Sequence, residues 1–233
     1  MADPSLALVV GANRGIGLGV VKEMLRRGWS VIATARRPDT ATVLQSLAAG
    51  NLGKLEIVAL DMTNTAQVDA FTLTLVGRDL DAVLVNAGVG GPDHMSASQA
   101  TEAEIGALVF TNAVAPIRLA RALAGLVRED TGVLAFTSSI MGSVALNTDG
   151  YSELYRASKA ALNSMSRGLW TELRGRGVTL LNLHPGWVRT DMGGPSAPVG
   201  VEESARGMVA MIERERGKHR HEFITFTGEE LTW

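Results

Sequence analysis

Apolar residues fall into two alternating kinds of run along the 233-residue chain. Short, nearly continuous stretches lie at 6–10, 31–34, 55–60, 82–85, 133–136, 178–183 and 223–226. Between them, apolar positions recur at helical spacing over 15–27, 39–49, 65–78, 101–128, 151–174 and 202–216. The first kind reads as strands buried on both faces, the second as amphipathic helices. Their alternation predicts βαβ units and therefore an α/β fold: a doubly wound, seven-stranded parallel sheet with helices on both faces, in one domain spanning 1–233. Pro116 falls inside the fourth helix and predicts a kink, because its ring removes a donor and crowds the preceding turn. Three long segments, 89–100, 140–150 and 184–200, carry neither pattern. They follow strands four, five and six, whose C-terminal ends line the ligand crevice of such a sheet, so all three are expected at one rim.

Composition narrows the chemistry. Without cysteine there are no disulfides, thiolate nucleophiles, cysteine-ligated zinc or ordinary iron–sulfur clusters, and a reducing, cytoplasmic setting is expected. With 22 Lys+Arg against 24 Asp+Glu the net charge is -2, so no basic field favours nucleic acid or anionic lipid, and a small-molecule partner is expected. The apolar stretches are strand-sized, short of the roughly 18 residues of a membrane span. Asp3, with no Lys or Arg before Leu6, speaks against a signal peptide. His94, His184, His219 and His221 show no zinc-ligand spacing; His219 and His221 read as a solvated loop and His184 as a positional residue. No nucleophile elbow is present.

Candidate chemistry gathers after the strands. Gly11-Ala12-Asn13-Arg14-Gly15-Ile16-Gly17 joins strand one to helix one. Glycines there let the backbone approach a pyrophosphate, whose charge meets free N–H groups at the helix start, although such a turn also serves as a plain corner. Tyr155 and Lys159, four apart, share a helix face. A tyrosine hydroxyl can protonate a developing alkoxide; cycling near neutral pH asks it to titrate about 2–3 units below 10, with help from a neighbouring ammonium. Ser138 and Ser139 end strand five, where a hydroxyl can hold a carbonyl oxygen. Strand two ends in Thr34-Ala35-Arg36-Arg37. Ala35 stands where a carboxylate would accept from a ribose 2′-OH, and Arg36 follows it, with Arg14 expected to point toward the same pocket. That pattern favours a 2′-phosphate, hence NADP(H).

With Asp61-Met62 after strand three, Asn86-Ala87-Gly88 after strand four and Pro185-Gly186-Trp187-Val188-Arg189-Thr190 after strand six, the chain resembles the short-chain dehydrogenase/reductase family over nearly its whole length. The resemblance implies a Rossmann-type fold and an NADP(H) site made by Gly11, Asn13, Arg14, Gly15, Ile16 and Gly17 with Arg36. It further implies that Asp61 and Met62 hold the adenine, and that Asn86, Ala87 and Gly88 support the sheet beside the cofactor. Pro185, Gly186, Trp187, Val188 and Thr190 are implied to meet the nicotinamide carboxamide. Tyr155 is the implied proton donor, and Lys159 its partner and a donor to the nicotinamide ribose. Ser139 is implied to orient the substrate, with Ser138 as the alternative, and Asn112 to bind a water that relays protons to the lysine.

Asn147-Thr148-Asp149-Gly150, Tyr155-Arg156-Ala157-Ser158-Lys159, the run from His184 to Pro198 and Leu231-Thr232-Trp233 resemble more particularly the C-factor and sniffer-type carbonyl reductases. That likeness implies NADPH-dependent reduction of a ketone, aldehyde or quinone. Alcohol oxidation, 3-oxoacyl carrier-protein reduction and a cofactor-binding signalling role stay open. A homodimer or homotetramer is expected through the fourth and fifth helices, because Ile105, Leu108, Val109, Leu119 and Leu123 with Leu162, Met165, Leu169, Trp170 and Leu173 spread beyond one apolar stripe. Residues 192–199, poor in side-chain area to bury, are expected to form a mobile lid.

Overall fold

The computed structural model describes residues 4–233, so Asp3 lies outside the described residues. Strands β1 (Leu6–Val10), β2 (Ser30–Ala35), β3 (Leu55–Ala59), β4 (Ala82–Val85), β5 (Val133–Thr137), β6 (Thr179–His184) and β7 (His221–Thr225) form one sheet ordered β3-β2-β1-β4-β5-β6-β7. Every neighbouring pair is parallel. The helices are α1 (Gly15–Arg26), α2 (Thr42–Ala49), α3 (Thr65–Thr74), α4 (Glu102–Val109), α5 (Ala115–Leu123), α6 (Glu153–Leu173) and α7 (Val201–Glu215). This is the Rossmann-type architecture expected.

Alternation along each strand feeds two cores. Ala7 and Val9 of β1 pack with Val20, Leu44 and Met208 under α1, α2 and α7. Leu8 and Val10 pack with Phe71, Ile117 and Leu162 under α3, α5 and α6. Burying such a side chain contributes roughly 1.5–3 kcal/mol, so the strands stay apolar on both faces. Strand order reverses between β1 and its neighbours β2 and β4, which opens a crevice at their C-terminal ends.

The run expected as one helix over 101–128 is divided. Thr101 caps α4 reciprocally: its Oγ1 accepts from Glu104 N at 3.3 Å, and Glu104 Oε2 accepts from Thr101 N at 2.9 Å. A π turn, Phe110–Val114, then widens the helix, with Ala115 N donating to Phe110 O. Pro116 follows in the first turn of α5, where a missing N–H costs least. The run Glu102–Leu126 is long and apolar enough to cross a membrane by length and composition. Here Ile117, Leu119 and Leu123 are buried against this chain's own sheet.

One other expectation is corrected, that for His221. On the fourth and fifth predicted helices Leu108, Leu119, Leu123, Leu162, Leu169 and Leu173 are buried within the chain, while Ile105 is exposed and Val109, Met165 and Trp170 are half-buried. His221 opens β7 and is buried, because β7 starts two residues earlier than its apolar run predicts. Residues 192–199 are bonded into a flap: Arg189 Nη1 donates to Ala197 O at 2.8 Å and Pro198 O at 2.7 Å, and Val188 bridges Val199.

Candidate active site

The turn after β1 is shaped by space. Gly11 has φ +81°, and a Cβ there would lie 2.8 Å from the Ala87 Cβ. A Cβ on Gly17 would fall 2.1 Å from Gly11 O, which only a shifted backbone could accept. Asn86 ties the turn to the sheet: its Nδ2 donates to Gly11 O at 3.1 Å, and its Oδ1 accepts from Thr137 Oγ1 at 3.0 Å. Arg14 occupies the N-cap of α1 without capping it, and no acidic residue stands in the first turn. The first N–H groups of α1 therefore face the crevice without a side-chain acceptor, the condition for holding a phosphate.

Around this turn, Ala35 is buried at the end of β2 and Arg36 and Arg37 are exposed beyond it. Asp61 accepts from the Thr63 hydroxyl and N–H at 2.6 and 2.9 Å, which holds its carboxyl below the usual range, with Arg36 adding a smaller pull. Met62 is buried beside it and Asn13 is exposed. Arg14 departs from expectation: its guanidinium pairs with Asp191 rather than turning toward Arg36. Both partners are about three-quarters exposed, at 70% and 75%, so the pair is weak and exchangeable. After β6, Gly186 (φ +84°) packs against Phe226, Trp187 Nε1 donates to Gly193 O at 2.8 Å, and Thr190 comes against Gly15. Pro185 O accepts from Ser204 Oγ at 2.6 Å, which anchors the segment to α7.

Ser139, Tyr155, Lys159 and Asn112 come together where β5, α6 and the π turn meet. Burial pushes the Tyr155 phenol up to about 12, and hydrogen bonding with Ser139 draws it down by less. The expected depression is thus absent in the protein alone, because desolvation outweighs the only opposing contact. Lys159 Nζ donates to Thr137 O at 2.9 Å and lies 5.7 Å from the centre of the Tyr155 ring. Burial pulls its ammonium down to about 8. Ser139 Oγ accepts from Met141 N at 3.1 Å, whereas Ser138 Oγ is turned inward to Asn163 Oδ1 at 2.6 Å. Of the two serines, Ser139 faces the tyrosine.

Asn112 is fully engaged through its side chain. Its Oδ1 accepts from Val89 N at 2.9 Å, and its Nδ2 faces Val89 O at 2.8 Å and Ser158 Oγ at 3.1 Å. Its main-chain carbonyl is different, since Pro116, four residues on, has no N–H to offer it. Gly88 keeps the space open: a Cβ there would sit 3.2 Å from Asn112 Oδ1 and 3.7 Å from Lys159 Nζ. Sequence reasoning did not single out Asn163, although it continues the four-residue spacing of Tyr155 and Lys159 along α6. It also missed Thr137 and Ser158, whose partners are far along the chain.

Residues 5–198 match the short chain dehydrogenase family. The chain belongs to this family. Among solved structures it is similar to a carbonyl reductase from Pseudomonas aeruginosa PAO1 in complex with NADP, at 43% identity and TM-score 0.92, covering 99% of this chain and all (100%) of that one. It is also similar to the carbonyl reductase Sniffer of D. melanogaster, at 31% identity and TM-score 0.88 with 100% of each chain covered. C-signal of Myxococcus xanthus is 38% identical over 165 residues, 70% of this chain and 99% of that protein. Placement in the short chain dehydrogenase family makes the chain an oxidoreductase of small molecules.

Proposed function

We propose that this short chain dehydrogenase is an NADPH-dependent reductase of uncharged, largely apolar carbonyl compounds. The observation that carries it is the assembly of Ser139, Tyr155, Lys159 and Asn112 beside a glycine turn whose helix N-terminus has no cap of its own. Gly11, Gly15, Ile16 and Gly17 would hold the pyrophosphate through backbone N–H groups, with Asn13 at the mouth of the turn. Arg36, and Arg14 released from Asp191, would face the 2′-phosphate; Asp61 and Met62 would flank the adenine. Asn86, Ala87 and Gly88 floor the nicotinamide side, and Pro185 to Val188 with Thr190 would meet the carboxamide. When bound, the reduced nicotinamide supplies the hydride.

The chain's own groups supply the rest. Ser139 Oγ holds the carbonyl oxygen, where charge develops. Tyr155, protonated throughout the neutral range, gives its Oη proton to that oxygen. Lys159, drawn down to about 8, stands ready to return a proton to the site, with a water on Asn112 as its source. A phenol held in its acid form supports the reducing direction. The rim supports the substrate class: Val144 (76%), Tyr151 (74%), Trp187 (56%) and Met192 (56%) are exposed there. Its arginines are engaged, Arg156 with Asp149 and Arg189 with backbone carbonyls, which leaves little to attract a phosphopantetheine-bound substrate. Homodimer or homotetramer formation rests on the family likeness and on Ile105, Val109, Met165 and Trp170, which the core leaves exposed or half-buried, and a cytoplasmic setting on the cysteine-free composition.

The test follows NADPH oxidation over quinones, aldehydes and ketones, with NADH and a carrier-bound 3-oxoacyl thioester in parallel. Turnover with free apolar carbonyls is expected. Consumption of NADPH with none of them would overturn the assignment, and preference for the carrier-bound thioester would replace its substrate.

A further inference from the structure

A buried row of polar side chains takes no part in the chemistry above. Asn163 of α6 accepts on Oδ1 from Ser138 Oγ at 2.6 Å and from Asn182 Nδ2 at 2.7 Å, and it donates Nδ2 to Gly142 O at 3.3 Å. Asn182 Oδ1 accepts from Ser166 Oγ at 3.0 Å and lies 3.1 Å from His221 Nε2. Because the Asn182 amide donates to Asn163, its oxygen faces the histidine, and the ring must donate from Nε2. Ser138, Asn163, Ser166, Asn182 and His221 are all buried.

Past β7 the chain turns back, with Leu231 N donating to Phe223 O at 2.8 Å. This return sets the Trp233 ring against His221 at 4.7 Å and Phe223 at 5.3 Å between centroids. The Arg167 guanidinium lies 4.8 Å over the same indole. Trp233 O in turn accepts from Ala145 N at 3.3 Å. Residues 138–145, which carry Ser139, are thus held at the inner end by Asn163 and at the outer end by Trp233. Asn182 and His221 join the two anchors.

On the carbonyl-reductase assignment above, we propose that Asn163, Asn182, His221 and Trp233 are a brace that positions the Ser139 turn, with Trp233 governing the substrate-facing residues 144–146. Burying five polar side chains carries a desolvation cost that aliphatic residues would avoid, and what a satisfied network gives in exchange is one fixed arrangement. Fixed placement matters here, since a displacement of about 1 Å at a reacting group can cost on the order of 10²-fold in rate. Trp233 meets the rim through Ala145 and is remote from the glycine turn. Its loss therefore acts on substrate and not on cofactor.

The experiment compares Trp233→Ala, Trp233→Phe and wild type in the full chain, reading KM and kcat for a bulky and a small ketone, the Kd for NADPH, and amide exchange at residues 143–146. In Trp233→Ala, KM for the bulky ketone should rise about fivefold or more and kcat should fall, with the NADPH Kd within about twofold, since the outer end of the Ser139 turn loosens while the glycine turn does not. Exchange at Ala145 should quicken by about fivefold or more without any ligand, because the Trp233 main-chain carbonyl that accepts from it is no longer anchored by the indole. Trp233→Phe, which keeps a ring on His221, should restore both. Should the alanine variant fail to fold, Arg167→Ala removes the exposed cation over the Trp233 and Trp170 rings and should raise KM for the bulky ketone and exchange at Ala145 by about threefold or more. Unchanged KM and exchange in a folded variant, or an equal rise in the NADPH Kd, overturns the brace. A wild type that reduces no carbonyl sinks the functional assignment instead, and the exchange rates then decide the brace alone.

Discussion

The glycine turn after β1 and the Ser139 turn after β5 cap parallel strands of the same sheet, yet they are held in place in different ways. At the first, shape follows from missing atoms: a Cβ on Gly17 would meet Gly11 O at 2.1 Å, and one on Gly11 would meet Ala87 at 2.8 Å. At the second, shape follows from partners far along the chain, with Ser138 held from Asn163 and Ala145 from Trp233. The cofactor half is therefore a steric device that a short stretch of sequence can specify. The substrate half is a cooperative one, in which no single contact fixes the geometry. Substitutions in the two halves should separate accordingly, the first changing what binds and the second changing what reacts.

Tyr155 stands where the halves meet and gives the largest expected effect. Tyr155→Phe should lower kcat by about 10²–10⁴-fold, the range for losing a general acid, while the NADPH Kd moves by no more than about twofold. Stopped-flow or steady-state rates with a cofactor titration measure both. A phenylalanine variant that turns over near the wild-type rate would remove Tyr155 from the chemistry.

Acid stability separates the halves next. Burial pulls His184, ahead of the Pro185 segment, down to about 4, and His221, in the brace, down to about 3. Both folded values lie below 6.5, so below pH 6.5 the unfolded chain binds protons that the folded chain does not. Stability from these residues is present above 6.5 and falls as pH drops toward 4 and 3. Each histidine should account for about 2–3 kcal/mol of the loss between pH 7 and 4.5. Urea unfolding at those two pH values should show His184→Asn and His221→Asn each losing less than wild type. An equal loss in all three proteins would mean that neither ring is held neutral.

Legibility in the sequence followed the same division. The seven strands and the glycine turn were readable because apolar runs and glycine spacing are local properties. Tyr155 and Lys159 were readable because one helix turn separates them. The division of 101–128 was half visible: Pro116 announced a break, but the π turn depends on packing against α6 and on Val89. His221 was misplaced among solvated residues because its strand begins on polar residues whose burial comes from Trp170, Trp233 and Asn182. What the sequence hid was every contact made across the chain by a polar side chain.

The smallest expected effect concerns the choice between NADPH and NADH, and it probes the cofactor half alone. Ala35 closes β2 without a carboxylate, Arg36 lies exposed just past it, and Arg14 is tied only to the exposed Asp191. A 2′-phosphate needs cations here, whereas a ribose hydroxyl needs an acceptor, so the protein should favour NADPH by about tenfold or more, near 1.4 kcal/mol. Ala35→Asp with Arg36→Ala supplies the acceptor and removes the cation, and should reverse the order. Thermal-shift titration reads this without any substrate, since a ligand at 100 times its Kd stabilises the fold by roughly 2.7 kcal/mol. Asp191→Ala sharpens the test: freeing Arg14 should tighten NADPH and leave NADH unchanged. If Arg14 instead serves only its salt bridge, both cofactors will be indifferent to that substitution, and selectivity rests on Arg36 and the bare end of β2.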